Sequence, residues 1–274
     1  MLHLYLKNGK CLKGLFLLCI FLSVFIPACD SGHSETFDLQ TEYARAVADA
    51  KVAEPSEVCK DLTAIVPWNS SLVWQGEPGK SRVLVVTWAG DDTYYRGHEG
   101  DDNYYLPVNL WVTLAPELKN FFKDRPFSIL RLEQALGLPP GIGKTAIIEL
   151  WAEPADLFRP SPDPEVTDSQ AEIDFCRYPN GLRIYNGALL LKDDYDCGQN
   201  GDCSYNAYEV WFNHLKANSY SGAQPYPWTR LGYTYDWGNP HNHVGLSEFI
   251  LAGGKKDGIT VGIKSITDTE RYFK

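Results

Sequence analysis

The stretch DWGNPHNHVGLSE, residues 236–248, contains four side chains of types that bind metal ions. His241 and His243 are separated by one residue, and Asp236 and Glu248 lie at the two ends of the stretch. A catalytic zinc ion commonly takes three protein ligands and keeps one position open for water. The stretch therefore raises the hypothesis of a metal-assisted hydrolase that uses His241, His243 and Asp236.

A solvated turn explains the same stretch without a metal. Asn239-Pro240 is a turn signal, and strand-like sequence stands on both sides of it. The histidine pair supplies two ligands, so the third would have to be one of the two nearby acids, or His98 or His214, which are distant in the sequence. We therefore favour the turn, expect no bound metal, and keep the hydrolase as the alternative.

Two segments, 89–105 and 220–237, are rich in aromatic side chains. Tyrosine and tryptophan combine a flat apolar face with a polar tip and are enriched at interfaces, and paired carboxylates such as those in 89–105 are frequent in glycan sites. Packing in the core is the alternative for every one of these rings. The candidate ligand-binding residues are Tyr94, Tyr95, Tyr104, Tyr105, Tyr226, Trp228 and Trp237.

Two further motifs fail the pattern that their chemistry requires. GIGKT at 141–145 has the ending of a phosphate-binding loop, but Leu138 stands where the first glycine is needed, and a predicted helix precedes the motif. The acidic segment 193–203 could hold a structural calcium ion, yet Ala207 stands where an EF-hand has its glutamate. We exclude nucleotide binding at GIGKT and expect no cofactor, with calcium at 193–203 as an open alternative.

Hydrophobic periodicity, caps and turn signals predict the elements that must position these residues. Strands outnumber helices, and the last three strands are close neighbours in the chain. We therefore predict a single α+β domain with a mostly antiparallel sheet and about four short helices. The predicted helices are 39–52, 117–124, 126–136 and 205–217, and the predicted strands are 71–75, 82–88, 108–114, 145–151, 182–191, 231–237, 244–251 and 258–266.

The first 29 residues carry an address. Three lysines, at 7, 10 and 13, precede the apolar run Leu15–Ile26, which is too short for a membrane span of about 20 residues, and Ile26-Pro27-Ala28-Cys29 follows it. This order resembles the signal and lipobox of bacterial lipoproteins. The resemblance implies cleavage before Cys29, attachment of diacylglycerol to its sulfur, and a location in the cell envelope facing the periplasm or exterior, with the inner or outer membrane left open.

The resemblance also sets the domain organisation: a signal peptide at 1–28, a lipidated tether at 29–37, and one globular domain at 38–274. Removal of the signal peptide takes away three lysines and no acids, which changes the net charge from −10 to −13. A chain this acidic repels nucleic acid. With Cys29 lipidated, four cysteines remain in an oxidising compartment, and we predict the disulfides Cys197–Cys203, across a short loop, and Cys59–Cys176, by elimination.

These observations predict a membrane-anchored envelope lipoprotein that carries no enzymatic activity and binds a glycan or a protein partner. The aromatic side chains of the 89–105 and 220–237 segments would form the binding surface if they are exposed. The metal-assisted hydrolase is the alternative function.

Overall fold

A seven-stranded antiparallel sheet organises the chain in the computed structural model, which describes residues 38–175, 203–253 and 259–274, with the backbone alone for 203–207. The strands are β1 (Val83–Ala89), β2 (Tyr104–Leu106), β3 (Leu110–Leu114), β4 (Ala146–Ala152), β5 (Leu157–Phe158), β6 (Tyr233–Tyr235), β7 (Val244–Ser247), β8 (Phe249–Leu251) and β9 (Ile259–Asp268). The order in the large sheet is β2-β9-β4-β1-β3-β8-β5, and β6 and β7 form a separate pair.

Five α-helices accompany the strands in the described part of the chain, and four of them have seven residues or more. They are α1 (Leu39–Ala50), α2 (Ala115–Phe122), α3 (Ile129–Ala135), α4 (Cys203–Ser219) and α5 (Thr269–Tyr272), with short 3-10 turns at Pro55–Glu57 and Pro154–Asp156. The predicted class, α+β with a mostly antiparallel sheet and about four short helices, is confirmed.

Helix α1 shows how local sequence signals produce an element. Asp38 caps its first turn, because the side chain accepts a hydrogen bond from the backbone N–H of Gln40. Tyr43, Val47 and two alanines are spaced at helical intervals and are buried against Tyr235 and Trp237. The predicted helix at 39–52 therefore forms and ends two residues earlier than expected.

Strand β1 lies at the centre of the large sheet and is buried on both faces. Val83 and Val85 belong to one hydrophobic cluster, whereas Leu84, Val86 and Trp88 belong to another on the opposite face, where α2 packs. Covered sheets of this kind need apolar side chains on every strand position rather than on alternate ones. This explains the nearly continuous apolar run of β1.

The ladder between β1 and β3 is short. Val85 pairs with Leu114 and Val86 pairs with Thr113, and the described residues form no further pairs between these strands. On its other edge, β3 pairs with β8 through Leu110, Trp111 and Val112. The sheet is therefore open between the C-terminal half of β1 and the N-terminal half of β3.

The predicted single strand at 244–251 is wrong in one respect. The segment divides into β7, which pairs with β6, and β8, which pairs with β3 and β5 in the large sheet. Glu248 is the residue between them, and its backbone N–H donates to the carbonyl of Gly232 at 2.9 Å. The chain thus leaves one sheet for the other at Glu248.

Other boundaries also differ from expectation. Segment 71–75 is not a strand, because Leu72 closes a turn onto Asn69 and Trp74 makes only an isolated bridge to Val83. The predicted strand 231–237 is reduced to β6, and α3 begins after Ser128, whose side chain caps it, rather than at Pro126. The predicted strand at 182–191 lies outside the described residues.

Glu149, on β4, ties several elements together. Its buried carboxylate accepts hydrogen bonds from Lys119 of α2 at 2.8 Å, from Lys264 of β9 at 2.7 Å and from the Tyr272 hydroxyl of α5 at 2.8 Å. Burial by itself raises the pKa of Glu149, but these hydrogen bonds outweigh burial and lower the pKa to about 2. The ionised carboxylate therefore links α2, β9 and α5 to the centre of the sheet.

The described residues lie within one compact unit. No helix among the described residues is long and apolar enough to cross a membrane. The predicted signal peptide and the lipidated tether with Cys29 lie outside the described residues.

Candidate functional site

A cavity of about 610 Å³ occupies the opening between β1 and β3. Residues 86–89 of β1 form one wall, and residues 109–113, which include most of β3, form the other. Helices α2 and α4, the end of α3, the segment before β6 and the loop after β1 also contribute, and Lys144, Thr234 and Glu248 line the cavity as well. The volume lies within the range of small-molecule sites, about 300–1,000 Å³. We refer to it as the β1–β3 cavity.

The walls of the β1–β3 cavity are mainly apolar and include five aromatic side chains. Two of these rings are held by packing, because the ring of Trp111 meets that of Tyr226 edge-on, with 5.9 Å between centroids, and that of the buried Trp228 at 6.2 Å, whereas Tyr94 is 74% exposed. Rings held in this way present a preformed surface to a ligand and lose little entropy when it binds. The five are Trp88, Tyr94, Tyr95, Trp111 and Tyr226.

Glu248 lies at the closed end of the cavity. Val112 pairs with its neighbour Phe249, and the Thr113 hydroxyl donates to the carbonyl of Ser247, so Glu248 lies beside the point where β1 and β3 are still paired. Its side chain lines the cavity although the residue is only 3% exposed. A carboxyl group thus forms the deep, polar end of a mainly apolar cavity.

The Glu248 carboxyl has one satisfied oxygen and one unsatisfied oxygen. The Tyr226 hydroxyl donates to Oε1 at 2.9 Å, whereas Oε2 has no hydrogen-bond partner within the described residues. Burial raises the pKa of Glu248 to about 8, although the hydrogen bond from Tyr226 acts in the opposite direction. At neutral pH the carboxyl is therefore mostly protonated and uncharged.

Lys144 stands at the other end of the cavity. If the pairing of β1 and β3 continued, Trp88 would be opposite Trp111. The strands have separated at this point, and the Lys144 Nζ donates a hydrogen bond to the Trp88 carbonyl at 2.6 Å. Trp88 is two strand residues, about 7 Å, beyond Val86, where the strands still pair. Burial lowers the pKa of Lys144. The cavity therefore has a carboxyl group at its closed end and an amine where the strands have separated.

The predicted metal ligands do not come together as a site. Both carboxylate oxygens of the buried Asp236 accept from the Arg131 guanidinium, at 2.8 and 2.5 Å. His243 shares a hydrogen bond with the Tyr235 hydroxyl at 2.6 Å, and His241 is exposed. Within the described residues, no group of three or more His, Cys, Asp and Glu side chains could hold a metal ion.

The two distant histidines have other local partners. His98 Nδ1 lies 2.7 Å from Asp101 within the same loop, and the ring of His98 packs edge-on against Tyr104. His214 lies on α4, where Asn218 contacts its ring nitrogen and its carbonyl.

The aromatic candidates from the sequence divide into two groups. Tyr94, Tyr95 and Tyr226 line the β1–β3 cavity. Trp228 and Trp237 are 0% and 8% exposed, so neither presents a face to a ligand, and both are core residues. Their indole N–H groups donate to the carbonyls of Pro160 and Leu138. Of the remaining two, Tyr104 packs against Tyr95 and Tyr105 is exposed on β2.

Sequence reasoning missed the residues that define the two ends of the cavity. Glu248 entered only as a metal ligand, and Lys144 was set aside with the rejected GIGKT motif. The available signal was a single acid inside the apolar run VGLSEFIL, where an unbroken strand would have placed it beside buried neighbours. Trp88 and Trp111 gave no such signal, because aromatic residues are ordinary in buried strands.

Most residues of the two predicted disulfides and of the predicted calcium site lie outside the described part of the chain. Cys59 is half-buried and forms no disulfide within the described residues. Cys176, Cys197 and the acidic segment 193–203 up to residue 202 lie outside the described residues, and so does the side chain of Cys203. The two disulfides and the calcium site stay predictions.

Comparison of the chain with protein-family models, with curated proteins and with solved structures finds no match. The function must therefore be inferred from the geometry of the β1–β3 cavity and from the sequence.

Proposed function

We propose that this protein is a lipid-anchored bacterial envelope protein whose domain binds a small, mainly apolar molecule in the β1–β3 cavity. One observation carries the proposal: a cavity with aromatic walls ends on the buried carboxyl of Glu248, which retains an unpartnered oxygen. Cavities of this size with apolar walls and few polar groups are the usual form of small-molecule sites.

The unpartnered oxygen argues for a ligand rather than for a packing defect. A buried polar atom without a hydrogen bond costs about 1–3 kcal/mol, and proteins rarely retain such an atom without a reason. Glu248 lines the cavity, but its Oε2 is covered by neighbouring atoms, so the carboxyl must turn before a molecule bound there can supply the missing hydrogen bond. A cavity that arose only from poor packing would more commonly be lined by apolar groups alone.

The lining also favours one kind of ligand over the partners that the sequence suggested. A glycan carries hydroxyl groups along its whole length and needs a polar partner at each of them, whereas the surface that faces the cavity is mainly apolar. A protein partner would need an extended exposed surface, and the cavity is a local opening within the sheet. A small molecule with an apolar body fits better.

The envelope location rests on the sequence. The lysines, the short apolar run and the Ile26-Pro27-Ala28-Cys29 order support lipidation at Cys29. Two acyl chains anchor a protein stably, at about 0.8 kcal/mol for each buried CH₂ group. The cavity would then face the periplasm or the exterior, where small molecules arrive from the surroundings of the cell.

Blocking the cavity tests the binding function. Ala89 lies on the β1 wall, and Ala89→Leu adds three carbon atoms to the space that a ligand would occupy. The matched control is Ala48→Leu, at an exposed position of α1. The probes are ethylbenzene, acetophenone and 1-phenylethylamine. Each is titrated calorimetrically into the mature lipidated chain in detergent. A given probe partitions into the detergent to the same extent for every variant, so this partition cancels when variants are compared.

We expect at least one probe to saturate the wild-type chain at one equivalent, Ala48→Leu to bind it equally well, and Ala89→Leu to bind it at least tenfold more weakly. The proposal fails if no probe saturates the wild-type chain up to millimolar concentration, or if Ala89→Leu binds every probe as tightly as the wild type does.

A further inference from the structure

We infer that the β1–β3 cavity takes small apolar molecules that carry a carboxylate, and that the ammonium group of Lys144 pairs with this carboxylate. The inference rests on the proposed binding function and adds the chemical class of the ligand. It follows from the position of the ammonium group in the opening between the strands, from the lack of a counter-ion beside it among the described residues, and from the mainly apolar surface around it.

The backbone of β1 shows where the ammonium group lies. Strand β4 pairs with β1 along one edge, so the hydrogen bond from the Leu84 N–H to the Val73 carbonyl lies on the opposite edge. Peptide groups alternate between the two edges of an antiparallel strand, so the carbonyl of Trp88, four residues later, faces the same edge as the Leu84 N–H. This is the edge from which β3 has separated. The Lys144 Nζ donates to the Trp88 carbonyl at 2.6 Å and therefore lies in the opening.

The ammonium group of Lys144 has donors left for a ligand. It carries three N–H groups, and the Trp88 carbonyl is its only hydrogen-bond acceptor among the described residues. None of the carboxylates in the described part of the chain forms an ion pair with it. By contrast, Lys119 and Lys264 share the carboxylate of Glu149. Two donors of Lys144 therefore remain for a ligand or for solvent.

A half-buried cation without a counter-ion favours an anionic ligand. Burial disfavours the charged form of Lys144 and lowers its pKa, and no protein carboxylate offsets this effect. A carboxylate bound in the cavity would offset it, because hydrogen bonds between charged groups are about twice as strong as those between neutral groups. A neutral acceptor gains less from the same donors, and an ammonium ligand would meet a like charge.

The other charges around the cavity do not cancel this preference. Asp91 lines the cavity, but it is exposed, and its carboxylate accepts hydrogen bonds from the backbone N–H and the hydroxyl of Thr93. Glu248 is mostly protonated at pH 7, since its pKa is about 8. The net negative charge of the chain repels anions, but salt screens exposed charges over about 8 Å at physiological ionic strength. A contact with the half-buried Lys144 is screened less.

Three probes of different charge test the inference. Phenylacetate carries a carboxylate, phenylacetamide is its neutral counterpart of the same size, and 1-phenylethylamine carries an ammonium group. Each is titrated calorimetrically at pH 7 into the mature chain in a non-ionic detergent and is compared between variants. Lys144→Met removes the charge at a similar length, and Lys144→Arg keeps the charge. The matched control is Lys123→Met, at an exposed position at the end of α2.

We expect Lys144→Met to bind phenylacetate at least tenfold more weakly than the wild type does, and to bind phenylacetamide within about twofold of the wild type. It should bind 1-phenylethylamine more tightly, because the like charge is gone. Lys144→Arg should bind phenylacetate more tightly than Lys144→Met does, and Lys123→Met should match the wild type for every probe. Urea unfolding curves confirm that each variant is folded under the binding conditions.

The outcomes distinguish this inference from the proposed function. If Lys144→Met binds phenylacetate as tightly as the wild type does, or if the wild type binds phenylacetamide and not phenylacetate, the cavity binds small molecules but the carboxylate preference is refuted. If Lys144→Met weakens phenylacetate and phenylacetamide equally, the lysine only maintains the shape of the cavity and the inference is overturned. Phenylacetate binding that Ala89→Leu leaves unchanged would lie outside the cavity and overturn it as well. If no probe binds up to millimolar concentration, both proposals fail.

Discussion

Replacement of Glu248 by glutamine should change how stability depends on pH. Below the ordinary value of 4.5, the Glu248 carboxyl is protonated in both the folded and the unfolded chain. As the pH rises, the unfolded chain ionises first, whereas the folded chain holds the proton until its pKa of about 8. The stability associated with the protonated group is therefore complete below pH 4.5 and is lost progressively up to pH 8.

The size of this loss follows from one proton released on unfolding. Such a proton changes the free energy of unfolding by about 1.4 kcal/mol for each pH unit. Between pH 5 and pH 7.5, the wild type should lose roughly 3 kcal/mol relative to Glu248→Gln, whose amide does not titrate. Urea unfolding at pH 5, 6 and 7.5, followed by circular dichroism and tryptophan fluorescence, measures the difference between the two chains.

Other carboxyls titrate in the same window, since burial raises the pKa of both Asp156 and Asp163 to about 6. For this reason the difference between variants is informative, whereas the wild-type curve alone is not. Glu77→Gln is the matched control, because Glu77 is exposed and pairs only with the exposed Lys80 among the described residues. A free-energy difference between wild type and Glu248→Gln that stays constant from pH 5 to pH 7.5 would refute the buried, neutral carboxyl.

Three further predictions concern other parts of the chain. Glu149→Gln should lower the free energy of unfolding by about 1–3 kcal/mol at pH 7, because two lysines lose their shared carboxylate. Since the pKa of Glu149 is lowered to about 2, this loss should shrink as the pH falls from 4.5 towards 2. A loss that does not depend on pH would contradict the prediction. Labelled palmitate should enter the wild-type chain and not Cys29→Ser, so that equal labelling of both excludes lipidation at Cys29. Elemental analysis should find no stoichiometric zinc. His241→Ala combined with His243→Ala should lower the free energy of unfolding by no more than about 1 kcal/mol, the contribution of the lost hydrogen bond between His243 and Tyr235. One zinc ion per chain that disappears in the double variant would support the metal site instead.

Local signals predicted much of the fold. The cap at Asp38 and the buried positions of α1 are short-range features, and so is the apolar run of β1 between turn residues. The pattern was less able to predict where a strand ends inside an apolar run. In VGLSEFIL the strand-like composition continues past Glu248, although the chain changes sheets there. Segment 71–75 has strand composition, yet no neighbouring strand pairs with it beyond Trp74 in the described structure.

The candidate site was much less predictable than the fold. The β1–β3 cavity exists because the two strands separate after two residue pairs. This separation depends on the pairing of β3 with β8, and β3 and β8 are more than a hundred residues apart in the chain. Tyr226 and Glu248 meet across 22 residues, and Lys144 reaches Trp88 across 56. No local pattern records such distances, so the sequence indicated aromatic density but not which rings share a cavity.

The short ladder between β1 and β3 also divides the large sheet into a block of four strands, β2-β9-β4-β1, and a block of three, β3-β8-β5. Backbone amides exchange their hydrogens with solvent through local opening, and regions joined by few hydrogen bonds open independently. The two blocks should therefore exchange at different rates in the empty protein. A molecule lodged between Trp88 and Trp111 would contact both blocks and slow exchange in both together, including at amides that it does not touch.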